Sequence, residues 1–292
     1  MLRTKGEKAF EAVNIVLLSI LVLVTAYPLY YVLAASFSNP AEIMKHTGVL
    51  WGLKGFSLES YKYVFRYPMV WIGYGNTLVY VLVGTAVNTL FTALAAYGLS
   101  RKNAMLCNFF MVLITVTMFF SGGLIPTYLL VDNMGLTNTR LVMFIWKMAQ
   151  PYNLIVMRTS FREIPDSLIE SATIDGANHF QIFWKIAVPV SKAVLFVIIL
   201  FYGVYHWNAW FYAMVFLRSK SLYPLQIVLR DILVANDVSA MTEGMVGMDE
   251  KEMIGATIKY AIIVVSTVPI LCVYPFIQKH FVKGVMVGAI KG

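Results

Sequence analysis

Charged residues are scarce in this chain, and their scarcity excludes an ordinary soluble fold. Of the 292 residues, only 13% are charged while 59% are hydrophobic, and the mean hydropathy is +0.72. An average soluble domain has about a quarter of its residues charged. One water-exposed domain of this size could not bury so much apolar surface. The composition therefore predicts an integral membrane protein.

The sequence also lacks the residue patterns of several kinds of site. The two cysteines, Cys107 and Cys272, lie inside apolar runs and give no support to a disulfide framework or a zinc site. His206 has no second ligand at a suitable spacing, so we expect no metal site. The pattern G-x-x-x-x-G-K-[ST] is missing, and no catalytic nucleophile or paired acids are visible. We therefore expect no enzymatic activity and no cofactor in this chain.

Basic residues give the chain a net charge of +8, but they are scattered and form no dense patch with interleaved aromatic residues. This distribution does not indicate a nucleic-acid partner. Apolar stretches of around 20 residues predict six membrane-spanning helices. Their approximate ranges are 13–36, 70–99, 104–130, 141–157, 190–217 and 257–276, the fourth interrupted by Pro151. The predicted fold is all-α.

The predicted organisation is one membrane domain over residues 1–292. It consists of an N-terminal span with an outer segment (1–69), a core (70–280) and a C-terminal tail (281–292). The N-terminal basic head and apolar run resemble a signal peptide, but the run is long and lacks an A-x-A-like cleavage site, so we expect a retained first span. Basic residues of the short loops predict that both termini are cytoplasmic. Those residues are Arg3, Lys5, Lys8, Arg101, Lys102, Arg158, Arg162, Lys185, Lys192, Lys279, Lys283 and Lys291.

A polar segment at 164–189 separates the fourth and fifth predicted spans. Pro165 favours a helix start, and Gly176 is suited to end the helix with a positive φ angle. Asn178 and Gln181 have the spacing of a cap for a second short helix. The segment also has apolar side chains, so its surface predicts contact either with a groove on another protein or with the chain's own inner surface.

The residues of this segment resemble the EAA loop of integral membrane subunits of ABC importers. Glu170, Ser171, Ala172, Gly176, Ile186 and Pro189 have the order and spacing of that loop. Ser171 departs from the usual alanine but is also small. IPDSLIESATIDGANHFQIFWKIAVPVSKAVL is similar to carbohydrate permeases of the maltose type. FYGVYHWNAWF, PLQIVLRDIL and FVKGVMVGAIKG resemble oligosaccharide permeases of Gram-positive bacteria, so the resemblance covers most of the chain.

The resemblance implies a type I importer fold and a set of partners. Two permease subunits form the path, two cytoplasmic ATPases bind ATP and Mg²⁺, and an external solute-binding protein delivers a carbohydrate. The coupling segment in such proteins sits in a cleft of the ATPase, where Glu170 would make the polar contact and Gly176 would allow the turn. The residues implied in coupling are Glu170, Ser171, Ala172, Asp175, Gly176, Ala177, Ile186 and Pro189. The cell membrane of a Gram-positive bacterium is the expected location.

Polar residues inside predicted spans indicate a translocation path, because such residues usually face an internal cavity. The candidates are Lys147, Gln150, Asn153, Tyr205, His206, Trp207, Asn208 and Trp210. Aromatic rings, Asn, His and Tyr suit a carbohydrate. Lys147 has two alternative roles: its ammonium could snorkel to the membrane surface, or it could form an ion pair with an acidic residue of the partner subunit. For the 205–210 cluster the alternative is an interfacial aromatic belt.

The competing function is an ATP-independent secondary transporter or channel for a small polar solute. Such proteins often contain inverted repeats around a site at the membrane midplane. The sequence contains no convincing pair of repeats.

Overall fold

Long helices satisfy the backbone hydrogen bonds of this apolar chain, as the interior of a bilayer requires. The structure is a computed structural model that describes residues 5–101, 104–234 and 253–272. These ranges contain no β-strand, only an isolated bridge between Ser38 and Phe56. The prediction of an all-α fold is confirmed.

The described ranges consist mainly of helices. In chain order they are α1 (Lys5–Ser36), α2 (Pro40–Lys45), α3 (Glu59–Arg66), α4 (Pro68–Ser100), α5 (Cys107–Phe119), α6 (Leu124–Asn133), α7 (Arg140–Ile145), α8 (Pro151–Arg162), α9 (Asp166–Ile174), α10 (His179–Val190), α11 (Lys192–Trp207), α12 (Phe211–Phe216), α13 (Leu225–Leu233) and α14 (Met253–Cys272). Single π-helical turns interrupt α4 at Tyr80–Gly84 and α10 at Phe183–Ala187.

The predicted number of six continuous spans is not confirmed in the described ranges. Among the described residues three helices, α1, α4 and α14, are long and apolar enough to cross a membrane, and the number rises to five if each of two bent helix pairs counts as one span. The third predicted span is wrong as one helix, because α5 and α6 meet at an angle of 119°. The break lies beside Gly123, whose φ of +83° an L-residue rarely adopts.

The fourth and fifth predicted spans also differ from the structure. The fourth, at 141–157, is divided into α7 and α8 by a non-helical link at 146–150. Pro151 occupies the first position of α8, where its missing N–H is not needed. The fifth, at 190–217, is divided at 208–210 between α11 and α12. The predicted sixth span extends beyond residue 272, and its end lies outside the described residues.

Contacts group the described residues into two compact units, with boundaries at 68/69, 228/229 and 268/269. In the first unit, Ala35, Ile43 and Leu50 form a small core, and Tyr31 packs edge-on against Tyr260 at 5.8 Å between ring centroids. The apolar side chains of α1 are largely exposed. The single-domain organisation of 1–292 stays a prediction.

In the described part of the second unit, two clusters of buried side chains pack against different parts of α4. The first core contains Ala93, Ala96 and Tyr97 of α4 with Met157 and Phe161 of α8. The second contains Tyr80 of α4 with Val142, Phe216 and other residues of α7, α12 and α13. The 164–189 segment is attached to the first of these cores.

Candidate functional site

The first half of the 164–189 segment is a short helix that ends at Gly176. Helix α9 begins after Pro165. At its other end Gly176 has a φ of +80°, Gly176 N–H donates to the Thr173 carbonyl at 3.0 Å, and Ala177 N–H donates to the Ala172 carbonyl at 2.9 Å. This pair of bonds is the Schellman motif, which satisfies carbonyls at a helix end. The predicted start, end and positive φ of this helix are confirmed.

The second half of the segment is capped as its sequence predicts. Asn178 Oδ1 accepts the Gln181 N–H, and Gln181 Oε1 accepts the Asn178 N–H, both at 2.9 Å. This reciprocal capping box starts α10. At its far end α10 meets α11 at an angle of 86°. The segment therefore forms two short helices joined by a sharp turn, followed by a bend into the long α11.

Buried side chains fix the segment to the rest of its unit. Ile164, Ile182, Phe183 and Ala187 lie in the same core as Phe161. Four residues of the predicted coupling set or next to it are half-buried and pack against that core: Ile169, Ala172, Ala177 and Ile186. One side of the segment is therefore held by apolar packing.

The opposite side of the segment is exposed. It contains Glu170, Ser171, Asp175, Gly176 and Pro189 of the predicted coupling set. Ile174 is 86% exposed and Phe180 is 64% exposed, although both are large and apolar. In the described part of the chain Glu170 forms no hydrogen bond or ion pair, while the Ser171 hydroxyl donates to the Ser167 carbonyl at 2.8 Å. An exposed apolar surface on a firmly held helix is typical of a protein-binding surface.

Two arginines bond helix ends next to this segment. Arg158 Nε donates to the Leu99 carbonyl at 2.8 Å, and an Arg101 Nη2 N–H donates to the Phe161 carbonyl at 3.2 Å. Burial and the neighbouring Arg162 lower the pKa of Arg158, whose ordinary value is far above neutral pH. The cationic side chains thus lie at the same end of the unit as the 164–189 segment, where they complement the negative ends of α4 and α8.

The residues of the predicted path lie in different environments. Lys147 and Gln150 belong to the non-helical link between α7 and α8, where Lys147 is exposed and has a φ of +57°. Asn153, at 2% exposure, lies inside the unit. His206 and Trp207 are also buried, whereas Tyr205, Asn208 and Trp210 have accessible surface. The 205–210 cluster is therefore divided between two buried residues, His206 and Trp207, and residues that remain accessible.

His206 is held by a close contact with α4. With the Asn88 amide oriented so that its nitrogen donates to the Phe144 and Gly84 carbonyls, its oxygen accepts from His206 Nε2 at 3.1 Å. A Cβ atom built on Gly84 would lie 2.5 Å from the same nitrogen. His206 thus fills space that only a glycine leaves open and joins α11 to α4.

A second polar contact supports the link at 146–150. The Tyr202 hydroxyl accepts the Gln150 N–H at 2.9 Å and bonds the Thr92 hydroxyl at 2.6 Å. Tyr202 is fully buried. This hydroxyl therefore holds the unwound backbone next to Lys147 against α4 and α11.

We expect Tyr202→Phe to lower the stability of the purified protein by about 1 kcal/mol, because it leaves the Gln150 N–H without its acceptor. Thermal unfolding in detergent measures the change. Tyr97→Phe is the matched control, since the buried Tyr97 hydroxyl has no hydrogen-bond partner in the described ranges and its loss should not destabilise. Equal destabilisation by both substitutions would contradict this role of Tyr202.

Sequence reasoning missed Tyr202, Gly84 and the polar face of α4. The signal for that face was present: Thr85, Asn88, Thr89 and Thr92 recur at helical spacing in an otherwise apolar span, and all four are buried. Polar residues at such spacing indicate contact with another helix, because hydrocarbon offers them no partner. Gly84 and Tyr202 had no comparable signal.

A cavity of about 310 Å³ lies beside the end of α11. Three residues of the predicted path, Tyr205, Asn208 and Trp210, line it together with Met143, Trp146, Val204, Ala209, Phe211 and Tyr212. The Lys147 ammonium is 5.2 Å from the centroid of the Tyr212 ring. The structure therefore brings three of the eight predicted path residues to one cavity and a fourth, Lys147, beside Tyr212 of its wall, and it places His206, Trp207 and Asn153 inside the unit.

The described residues contain no group of three or more His, Cys, Asp or Glu side chains that could hold a metal ion. The 164–189 segment and the cavity can therefore bind a partner or ligand through hydrogen bonds, packing and exposed polar surface. Its geometry is that of a membrane protein with an anchored, exposed connector at one end and an aromatic cavity beside a break in its helices.

Comparison with known proteins agrees with this geometry. Residues 88–287 match the family described as binding-protein-dependent transport system inner membrane component, and the chain belongs to this family. It is a sugar permease of the ABC transporter class, a membrane protein of carbohydrate import, with the type I permease fold.

The relatives cover nearly the whole chain. Protein LplC of Bacillus subtilis (strain 168) is 39% identical over 100% of this chain and 98% of its own length. The polygalacturonan/rhamnogalacturonan transport system permease protein YtcP of the same organism is 38% identical over 92% of this chain and 94% of its own length. A crystal structure of a bacterial ABC transporter involved in import of the acidic polysaccharide alginate has a TM-score of 0.87 and 31% identity, covering 96% of this chain and 99% of that one. The predicted family and fold are confirmed.

Proposed function

We propose that this chain is one of two different permease subunits of an ATP-driven importer and moves an oligosaccharide across the cell membrane. A second homologous permease completes the path, two cytoplasmic ATPases supply the energy, and an external solute-binding protein delivers the substrate. The family membership supports this arrangement. It also argues against the ATP-independent transporter or channel that the composition alone left open.

The observation that carries the proposal is the anchored and exposed 164–189 segment. Its inner side is fixed by Ile164, Ile182 and Phe183, and its outer side presents Glu170 and the apolar Ile174. A rigid helix with such a surface transmits movement only if a partner holds it. The ATPase is that partner in our proposal, and Glu170 makes a polar contact in its cleft.

The coupling role includes the turn that follows α9. Gly176 in its positive φ region reverses the chain, and Asp175 and Ala177 lie on either side of it. Ser171 is small and exposed and permits close approach of the ATPase, whereas Ala172 packs α9 against the core of the unit. Ile186 and Pro189 lead into α11. ATP and Mg²⁺ bind to the ATPases, because this chain lacks the G-x-x-x-x-G-K-[ST] phosphate loop.

The membrane orientation follows from the same segment. If 164–189 contacts a cytoplasmic ATPase, the adjacent Arg101 and Arg158 are cytoplasmic as well, in agreement with the positive-inside rule. The N- and C-termini then lie in the cytoplasm. The C-terminal tail at 281–292 lies outside the described residues.

The substrate class is an oligosaccharide. Two similar proteins carry names that specify transport of polygalacturonan or rhamnogalacturonan and import of the acidic polysaccharide alginate. The aromatic wall formed by Trp146, Tyr205 and Trp210 suits the apolar faces of sugar rings. Lys147, Gln150, Asn153, His206, Trp207 and Asn208 complete the proposed path, with His206, Trp207 and Asn153 shaping it from inside the unit.

Purification and uptake measurements test the proposal. We expect an affinity-tagged chain to co-purify with a second permease and an ATPase. Proteoliposomes that contain the complex should take up oligosaccharide only with ATP on the ATPase side and solute-binding protein on the other. Uptake by this chain alone, without nucleotide, would overturn the proposal.

A further inference from the structure

We propose that the cavity beside the end of α11 binds one sugar unit of an acidic oligosaccharide, with the sugar carboxylate paired to Lys147. This inference rests on the proposed function and deepens it by naming the chemical class of the substrate. The cavity measures about 310 Å³, near the lower end of the range of about 300–1,000 Å³ that is usual for small-molecule sites. It is therefore sized for a small part of an oligomer.

The cavity wall has the chemistry that a sugar ring requires. Trp146, Tyr205 and Trp210 contribute aromatic surface, against which the C–H faces of a pyranose can pack. Asn208 contributes a hydrogen-bonding group: its Nδ2 donates to the Val204 carbonyl at 2.9 Å, so the Oδ1 atom is held in place as an acceptor for a sugar hydroxyl. A mostly apolar wall with a few fixed polar groups is typical of a ligand site.

Lys147 provides a positive charge near one residue of this wall. Its ammonium is 5.2 Å from the centroid of the Tyr212 ring, and Tyr212 lines the cavity. No Asp or Glu is among the cavity residues, and Lys147 forms no ion pair with any described residue. Lys147 is exposed, so its ammonium is accessible to an anion carried by a ligand.

The backbone at Lys147 has an unusual conformation. Its φ of +57° is unusual for a residue other than glycine, and such conformations persist only where the surroundings impose them. Here the surroundings are the Trp146 ring, packed 5.1 Å from Tyr212, and the bond from Gln150 N–H to Tyr202. Contacts on both sides therefore hold the backbone at Lys147, and its ammonium lies beside Tyr212 of the cavity wall, which favours a defined anion over a freely snorkelling side chain.

The test compares an acidic and a neutral ligand on the whole complex. We measure the affinity of the purified complex for galacturonate trimer and for its neutral counterpart, in which the carboxyl groups are reduced. Solute-binding protein is left out, so that any preference between the two trimers comes from the transporter itself. We expect Lys147→Gln to weaken binding of the acidic trimer by about tenfold to a hundredfold, the contribution of a hydrogen bond to a charged group. Binding of the neutral trimer should change by less than about twofold.

Two further variants control the experiment. Lys147→Arg keeps the charge and should retain most of the affinity for the acidic trimer. Lys220→Gln removes an exposed lysine of the same unit that does not line the cavity, and it should leave both ligands unaffected.

Several results would overturn the inference. The first is no measurable binding of the acidic trimer to the wild-type complex. The second is an equal loss of affinity for both trimers in Lys147→Gln. The third is loss of the second permease from that variant, which would assign Lys147 to a subunit contact. The proposed function is judged separately, by ATP-dependent uptake of any oligosaccharide. A complex that imports only neutral oligosaccharides would contradict the acidic ligand and leave the importer function standing.

Discussion

Gly176→Asp should greatly reduce substrate-stimulated ATP hydrolysis while the protein remains folded in the membrane. An aspartate at a φ of +80° strains the turn after α9, and its carboxylate enters the surface that we assign to the ATPase. No atom lies within 4 Å of the position where a Cβ would be added, so the substitution creates no clash inside the chain. An unpaired charge in that contact should reduce stimulated hydrolysis by about tenfold or more.

Gly135→Asp is the matched control for this experiment. Gly135 has a φ of +67°, also has no atom within 4 Å of its added Cβ, and lies between α6 and α7, away from the 164–189 segment. It therefore carries the same backbone strain and the same added charge. Stimulated ATP hydrolysis should be close to normal in this variant. Normal stimulation in Gly176→Asp, or equal loss in both variants, would contradict the coupling role.

Gly84→Ala should strongly destabilise the protein although it adds a single methyl group. The added Cβ would lie 2.5 Å from Nε2 and 2.6 Å from Cε1 of His206. The imidazole is fully buried and bonded to Asn88, so moving away from the added methyl group would disturb this bond. Overpacking of this kind typically costs about 1–3 kcal/mol, and this contact is closer than ordinary van der Waals distance. Thermal unfolding in detergent and the yield of folded protein measure the effect.

Gly98→Ala separates this clash from the general effect of alanine in a helix. Gly98 lies in the same helix, α4, and no atom is within 4 Å of its added Cβ. Alanine there should raise stability by about 0.5–1 kcal/mol through lower backbone entropy in the unfolded chain. The double variant Gly84→Ala with His206→Ala should recover part of the loss. A harmless Gly84→Ala substitution would show that α4 and α11 do not pack as the structure places them.

The local geometry of the 164–189 segment was predictable because its signals are local. A positive φ at Gly176 and the capping pair Asn178 and Gln181 depend on residues no more than three positions apart. Such interactions form in nearly the same way wherever the segment is placed. The sequence could not show which side of α9 would be buried, because this depends on Phe161 and Phe183 arriving at the same core.

The continuity of the spans was not predictable from hydropathy. Hydropathy is averaged over a window of about 20 residues. Breaks as short as 120–123 and 146–150 are therefore hidden by the apolar helices on either side, although the second contains Lys147 and Gln150. A distant partner stabilises the second break: Tyr202 accepts the N–H of Gln150, 52 positions away. The composition of the 205–210 cluster indicated polar contacts. It could not show which of these residues would be buried and which accessible, because His206 can be buried only where Gly84 of α4 leaves space for its ring.

The 86° bend between α10 and α11 makes these two helices the two arms of a rigid lever with an almost right-angled bend. With 12 and 16 residues at about 1.5 Å per residue, the arms are about 18 Å and 24 Å long. Ile182, Phe183 and Ala187 of the short arm share one core with Ile198 and Tyr202 of the long arm, which keeps the angle fixed. A push on the free end of the short arm therefore turns both arms together, and the far end of the long arm moves about 1.3 times as far, nearly at right angles to the push.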